Sequence, residues 1–314
     1  MNPSVITRWG RRFAGAGTAL VTPLDERGGL DSAALKRLVE RVVAGGVDYL
    51  VCGGTSGEGP FVPSAVRRAM VDRTLEFVAG RLPVVAAVIA DSEENAVAQA
   101  RSLRATDLSG LMVTPPGYYP LSDDELHRFY DAVAHGGEKP IIIYNIPQNA
   151  RNGISPSLLA RLSTDSRFAA IKDSGARDFA LHIDLIAAAA HRDDFSVLTG
   201  LDRLLLPSLV MGAHGAISPS GNVLPEGCPA IITAFEEGDL DAARRAQDAV
   251  AAVLAAVQIG RFPGWWKAGT QAVGIGTARA ADLAPHPTDE QAAQIRLRVQ
   301  AALAAHPFAC EAGR

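Results

Sequence analysis

Phe168-Ala169-Ala170-Ile171-Lys172-Asp173-Ser174 is a short apolar run that ends in a lysine and a turn. The run is continuously apolar and does not alternate, which is the pattern of a strand buried on both faces of a parallel sheet. Comparable runs recur at residues 17–23, 47–52, 83–89, 110–114, 140–145, 195–199 and 215–218. Helical patterns separate them, at 31–43, 63–79, 93–106, 122–134, 155–162, 177–190 and 202–211. In the first of these, Asp31 stands at the N-cap position and Leu35, Leu38, Val39 and Val42 share one face. Ser155 followed by Pro156 marks another helix start. Eight strands alternating with helices in the first 225 residues or so predict an α/β fold, a (β/α)8 TIM barrel. An open doubly wound sheet is the rival, but the first strand-to-helix turn has neither a G-x-G-x-x-G fingerprint nor a P-loop.

After residue 225 the pattern changes to alanine-rich helices at 229–237, 240–259 and 288–305, with Thr288 an expected N-cap. The expected organisation is an N-terminal extension (1–14), the barrel carrying the active site (15–225), and a C-terminal helical appendage packed on it (226–314). Trp265-Trp266-Lys267 read as an aromatic turn between C-terminal helices, with a packing role.

The chain has 314 residues, 48% hydrophobic and 20% charged, with a formal net charge of −4. That balance gives no support for nucleic-acid or membrane partners, and no apolar run approaches a membrane span. The first residues carry basic side chains without a following apolar region, so no secretory signal is expected. Cys52, Cys228 and Cys310 lie too far apart for a metal motif or a disulfide framework. The expected compartment is a reducing cytoplasm.

In such a barrel the chemistry sits at the C-terminal strand ends. Lys172 stands there. Desolvation penalises a charged ammonium, and a neutral amine is a nucleophile that condenses with carbonyl compounds. The blander reading is a lysine that snorkels to solvent. The only other lysines are Lys36 and Lys139, which read as surface residues, and Lys267. Other strand ends bring Thr55 and Ser56, Tyr118 and Tyr119, Tyr144, Gly200 and Ile217 toward the same place. The turn Gly53-Gly54-Thr55-Ser56-Gly57 can offer backbone N–H groups and hydroxyls to a carboxylate. Taken singly, these are an ordinary tight loop, rim aromatics and a strand ending at Pro147. Their placement after successive strands is what points to one site.

Gly54-Thr55-Ser56-Gly57-Glu58, Val113-Thr114-Pro115, Tyr144-Asn145-Ile146-Pro147, Ile171-Lys172-Asp173, Thr199-Gly200 and Gly215-Ala216-Ile217-Ser218 occur in this order. In this the chain resembles the dihydrodipicolinate synthase / N-acetylneuraminate lyase family of class I pyruvate aldolases. The resemblance runs from about residue 15 to 225 and more loosely to the end. It implies that Lys172 forms a Schiff base and that Tyr144 transfers protons. It further implies that Thr55 positions the tyrosine hydroxyl, that Thr55 and Ser56 bind the pyruvate carboxylate, and that Ile217 contributes a backbone contact. It also implies a homotetramer built as a dimer of dimers, with no metal or organic cofactor.

The chain departs from the synthase branch in two places. An arginine that binds the aldehyde's carboxylate in that branch is replaced by Asn149, with Arg151 two residues on. The tyrosine that reaches across a subunit interface is matched best by Tyr118, with Tyr119 beside it, because Pro116-Gly117 shifts the pair. Thr55-Ser56 also differs from the Ser-Thr often found in the lyase branch. The expected function is therefore a Schiff-base pyruvate aldolase or lyase acting on small molecules, a 2-oxo acid such as a 2-keto-3-deoxy sugar acid or 4-hydroxy-2-oxoglutarate. The alternatives within the family are 4-hydroxy-tetrahydrodipicolinate synthase and a sugar-acid dehydratase. From other classes come a non-catalytic 2-oxo-acid sensor and a phosphate-handling barrel isomerase, the latter opposed by Asp202 and Glu226 near the expected phosphate grip.

Overall fold

β1 (Gly15–Ala19), β2 (Tyr49–Cys52), β3 (Val84–Val88), β4 (Gly110–Val113), β5 (Ile141–Asn145), β6 (Phe168–Asp173), β7 (Ser196–Thr199) and β8 (Gly215–Ser218) pair in sequence order, and β8 returns to β1. The result is a closed parallel barrel in a computed structural model that describes residues 8–175 and 178–307. The intervening helices are α1 (Ser32–Ala44), α2 (Ser64–Val78), α3 (Glu93–Ser102), α4 (Asp123–Gly137), α5 (Pro147–Ala150), α6 (Pro156–Leu162), α7 (Phe179–Ala189) and α8 (Leu205–Val210). Beyond the barrel come α9 (Gly227–Glu236), α10 (Leu240–Val257), α11 (Trp265–Gln271) and α12 (Asp289–Ala305).

The strands are apolar throughout because both faces are buried. Tyr49, Val51, Val85, Met112, Ile142, Tyr144, Leu198 and Ile217 belong to one core. Their neighbours Leu50, Cys52, Val84, Ile141, Ile143 and Val197 belong to a second core shared with the helices. Side chains alternate along a strand, so the first group fills the barrel and the second faces outward. Lys172 has the parity of Ala170, a member of the inner core, while Ile171 between them belongs to the outer one. The β5–β6 register sets Tyr144 beside Lys172.

The expected caps form. Asp31, Ser155 and Thr288 each accept a backbone N–H three residues on, and Ser122 makes a full capping box with Glu125. Other expectations need correction. Residues 202–211 are not one helix: a 3-10 turn (Asp202–Leu204) precedes α8. Ser218 Oγ and the Ser220 N–H both donate to Asp202 Oδ1, the latter at 3.2 Å. Trp265-Trp266-Lys267 start a helix, α11, and are not a turn. Lys139 is half-buried, with Nζ donating to Thr106 O at 2.7 Å and Leu108 O at 3.2 Å. The expected helix start at Arg177 and the cysteine at 310 lie outside the described residues, while Cys52 and Cys228 are buried free thiols. Among the described residues no helix is long and apolar enough to cross a membrane.

Candidate active site

The ends of β5, β6 and β7 are tied together by Asp173. Its Oδ1 accepts from Asn145 Nδ2 at 2.7 Å and from the Gly175 N–H at 3.0 Å, and its Oδ2 pairs with His182 Nδ1 at 2.9 Å. Its backbone oxygen accepts the Gly200 N–H at 2.6 Å, and Asn145 O accepts the Ser174 N–H at 2.8 Å. Asp173 and His182 are both buried, so the network holds the strand ends in one geometry.

Lys172 projects from this frame. It is 5% exposed, and its Nζ lies 4.3 Å from the centre of the Tyr144 ring. Among the described residues no carboxylate is in ion-pair range of it. Tyr144 OH lies 3.3 Å from Thr55 Oγ1. Thr55 and the buried Ser56 begin a 3-10 turn (Thr55–Gly57) that the Thr22 hydroxyl pins by donating to Gly57 O at 2.7 Å. Gly200 stands against the lysine stem: a Cβ there would clash with Ser174 Oγ and come within 2.9 Å of Lys172 Cε. Only glycine leaves that stem room.

A cavity of about 920 Å³ opens beside the turn. Of the expected residues, Thr55 and Asn149 line it, whereas Lys172 and Tyr144 do not. Thr55 therefore joins the two, facing the cavity while bonding the tyrosine. Ile217 is fully buried in the inner core with Tyr144. Tyr118 is not brought into the group: it is 78% exposed and packs edge-on against Tyr119 at 4.8 Å. The pair follows Pro116-Gly117 and stands exposed on the rim. Arg151 is exposed and lies outside the cavity lining, with its guanidinium 3.5 Å from Tyr118 O.

Two features escaped sequence reasoning. Phe262, Pro263 and Pro285, from the C-terminal region, form part of the cavity wall. Glu58, also on that wall, is paired with Lys267 at 2.8 Å, both fully enclosed. The rarity of lysine in the chain was a signal for Lys267, but nothing local named its partner. Among the described residues no three His, Cys, Asp or Glu side chains converge as a metal-binding group.

What this arrangement can do is form an imine at Lys172 and move a proton at Tyr144 OH, with Thr55 as that hydroxyl's partner. The profile of the "Dihydrodipicolinate synthetase family" matches residues 12–306. A protein of Gluconacetobacter diazotrophicus named 4-hydroxy-tetrahydrodipicolinate synthase is 32% identical over 292 residues, 93% of this chain and 96% of that one. A protein of the same name from Sorangium cellulosum is 36% identical over 236 residues, 74% of this chain and 77% of its own. The crystal structure of dihydrodipicolinate synthase from Thermotoga maritima superposes with a TM-score of 0.87 at 26% identity, covering 92% of this chain and 98% of that one. That from Bacillus anthracis gives 0.85 at 27%, with the same coverage. The barrel, the order of its strand-end residues and these likenesses together make the chain a member of the dihydrodipicolinate synthetase family, whose members are pyruvate-dependent Schiff-base aldolases.

Proposed function

We propose that Lys172 is the Schiff-base lysine of this chain and that Tyr144 moves its protons. Lys172 Nζ attacks C2 of pyruvate, the carbonyl oxygen leaves as water with a proton given by Tyr144 OH, and a protonated imine forms beside the tyrosinate. The protonated imine withdraws electrons from C3, and Tyr144 takes a C3 proton to give the enamine. Enamine C3 then bonds to the aldehyde carbon, the new alkoxide receives a proton, and hydrolysis of the imine frees Lys172. Run backward, the same steps cleave an aldol. The observation that carries this reading is the contact of Lys172 Nζ with the Tyr144 ring at a site without a countercharge among the described residues, joined to the Tyr144–Thr55 hydroxyl pair. Thr55 and Ser56 would hold the 2-oxo acid's carboxylate.

For the second substrate, the relatives support aspartate semialdehyde and the formation of 4-hydroxy-tetrahydrodipicolinate over the sugar-acid expectation. Cleavage of a hydroxylated 2-oxo acid stays as a second reading on one observation. Asn149 lines the cavity where an arginine would receive a carboxylate, and Arg151 lies outside the lining. In a homotetramer, Tyr118 would serve a neighbouring subunit's site. A cytoplasmic location suits the free thiols of Cys52 and Cys228.

The test is intact mass after incubation with pyruvate and borohydride, with Lys172→Ala alongside, followed by turnover assays. A stable adduct on the wild type alone, at the Lys172 peptide, supports the imine, and its absence removes pyruvate as donor. Consumption of aspartate semialdehyde supports the synthase. Cleavage of a 2-keto-3-deoxy acid in its place supports the second reading. An adduct with no turnover of either class supports a sensor.

A further inference from the structure

Glu58 closes the turn that begins with Thr55. Its N–H donates to Thr55 O at 3.0 Å, and its own oxygen accepts from the N–H groups of Phe61 at 2.8 Å and Val62 at 3.1 Å. It has φ 59°, the left-handed conformation that a residue with a Cβ seldom adopts. Such a conformation persists only where the surroundings impose it. Here they come from the far end of the chain. Glu58 Oε2 accepts from Lys267 Nζ at 2.8 Å and from the Ala281 N–H at 2.7 Å, and Lys267 Nζ also donates to Arg279 O at 2.9 Å. Glu58 and Lys267 are each 1% exposed.

We infer that the Glu58–Lys267 pair is a positioning device for catalysis, which sets the Thr55 hydroxyl against Tyr144 from the C-terminal region. The inference rests on the Schiff-base reading above. Three observations and one general principle carry it. The pair is continuous, through a three-residue turn, with the one hydroxyl that contacts Tyr144 OH among the described residues. Glu58 also lines the cavity, beside walls supplied by Phe262, Pro263 and Pro285. The acid holds a strained backbone position that a plain packing contact would not require. And a buried ion pair is a poor way to gain stability alone, because apolar residues of similar volume serve as well or better, whereas it does fix one geometry. Burial pushes the Lys267 ammonium down from its ordinary pKa, and Glu58 is the main influence opposing that.

The experiment uses pyruvate alone. In D2O, formation and reversal of the enamine exchange the methyl protons of pyruvate, which proton NMR reads without any aldehyde. Glu58→Gln, Glu58→Gln/Lys267→Met and Thr55→Val are compared with the wild type, each first shown folded by circular dichroism. Glu58→Gln keeps the acceptor for Ala281, so it carries the test should the double variant not fold. Borohydride trapping by the wild type comes first, and its failure would sink the Schiff-base reading itself. With trapping established, the clamp variants are expected to trap pyruvate as the wild type does but to exchange its protons roughly 10- to 100-fold more slowly. Adding Thr55→Val to a clamp variant is expected to cost less than about twofold more, because residues acting through one another are not additive. Exchange within about twofold of the wild type in the clamp variants, or losses that multiply when the changes are combined, would overturn the inference.

Discussion

Lys172 and Lys267 are both buried lysines that bear on the same turn, and their surroundings are opposite. Lys267 has a carboxylate at 2.8 Å and a carbonyl at 2.9 Å, so its charge is matched. Lys172 has an aromatic ring at 4.3 Å and, among the described residues, no ion pair. Burial disfavours the ammonium of Lys267, and Glu58 is the main influence opposing that. Where a carboxylate offsets the penalty, the lysine stays a cation and becomes a structural tie. Lys172 has no such partner among the described residues, and in the proposed mechanism it is the lysine that reacts. The sharpest way to break this contrast is Lys172→Arg. A guanidinium cannot form the imine, so turnover and borohydride trapping should vanish while the urea unfolding midpoint stays near that of the wild type. Measurable turnover by the purified, folded variant would place the nucleophile elsewhere.

Tyr144 belongs to the reactive side of the contrast, and its loss should be large but not total. Tyr144→Phe keeps the ring against Lys172 and removes the hydroxyl that pairs with Thr55. Imine trapping should persist, while proton exchange and turnover fall by roughly 10²–10⁴. Equal rates in the variant and the wild type would assign the proton to another group.

What could be read from the amino-acid order follows the same line. Lys172 and Tyr144 were legible because each ends a run whose periodicity reports burial on both faces, and barrel topology then brings the strand ends together. The helix caps at Asp31, Ser155 and Thr288 were legible because each acts within three residues of itself. The Glu58–Lys267 tie was not, since its members are 209 residues apart and no local pattern joins them. α11 escaped because Trp266, Lys267, Ala268, Gly269 and Thr270 are buried in succession, which leaves no amphipathic stripe to detect. α5 escaped because it is four residues long and starts at Pro147, which reads as a turn. The outward position of Tyr118 depends on the path of the loop after β4, and spacing alone does not give that path.

On the structural side of the contrast, breaking the tie should cost stability in a way that removing both charges does not. Lys267→Met leaves Glu58 buried without its countercharge, with Oε1 already lacking a partner among the described residues. The expected loss is about 3–5 kcal/mol in urea unfolding. Glu58→Gln/Lys267→Met removes both charges and should regain much of that loss. A double variant as unstable as Lys267→Met would mean that packing, and not the uncompensated charge, sets the cost.

His214, half-buried just before β8, is the third case: a base whose charged form burial opposes and that has no ion pair among the described residues. Its Nδ1 accepts the Val197 N–H at 3.1 Å, which requires that nitrogen to be unprotonated. Desolvation first, and then the Arg11 charge, lower its pKa from 6.5 to about 4. A lowered pKa in the folded state means that, as pH falls, the unfolded chain takes up the proton first. The His214 contribution to stability is therefore intact above pH 6.5, declines between 6.5 and about 4, and declines no further below that. Allowing for partial exposure, the loss across that window is about 1–3 kcal/mol. His214→Asn presents a carbonyl that can accept from Val197 but does not titrate. Urea unfolding of both proteins from pH 7.5 to 4.5 should show the wild type losing more stability than the variant, with the gap opening below pH 6.5. Parallel curves would mean that His214 keeps an ordinary pKa in the fold, and that burial at this position does not oppose the charge as it does at Lys267.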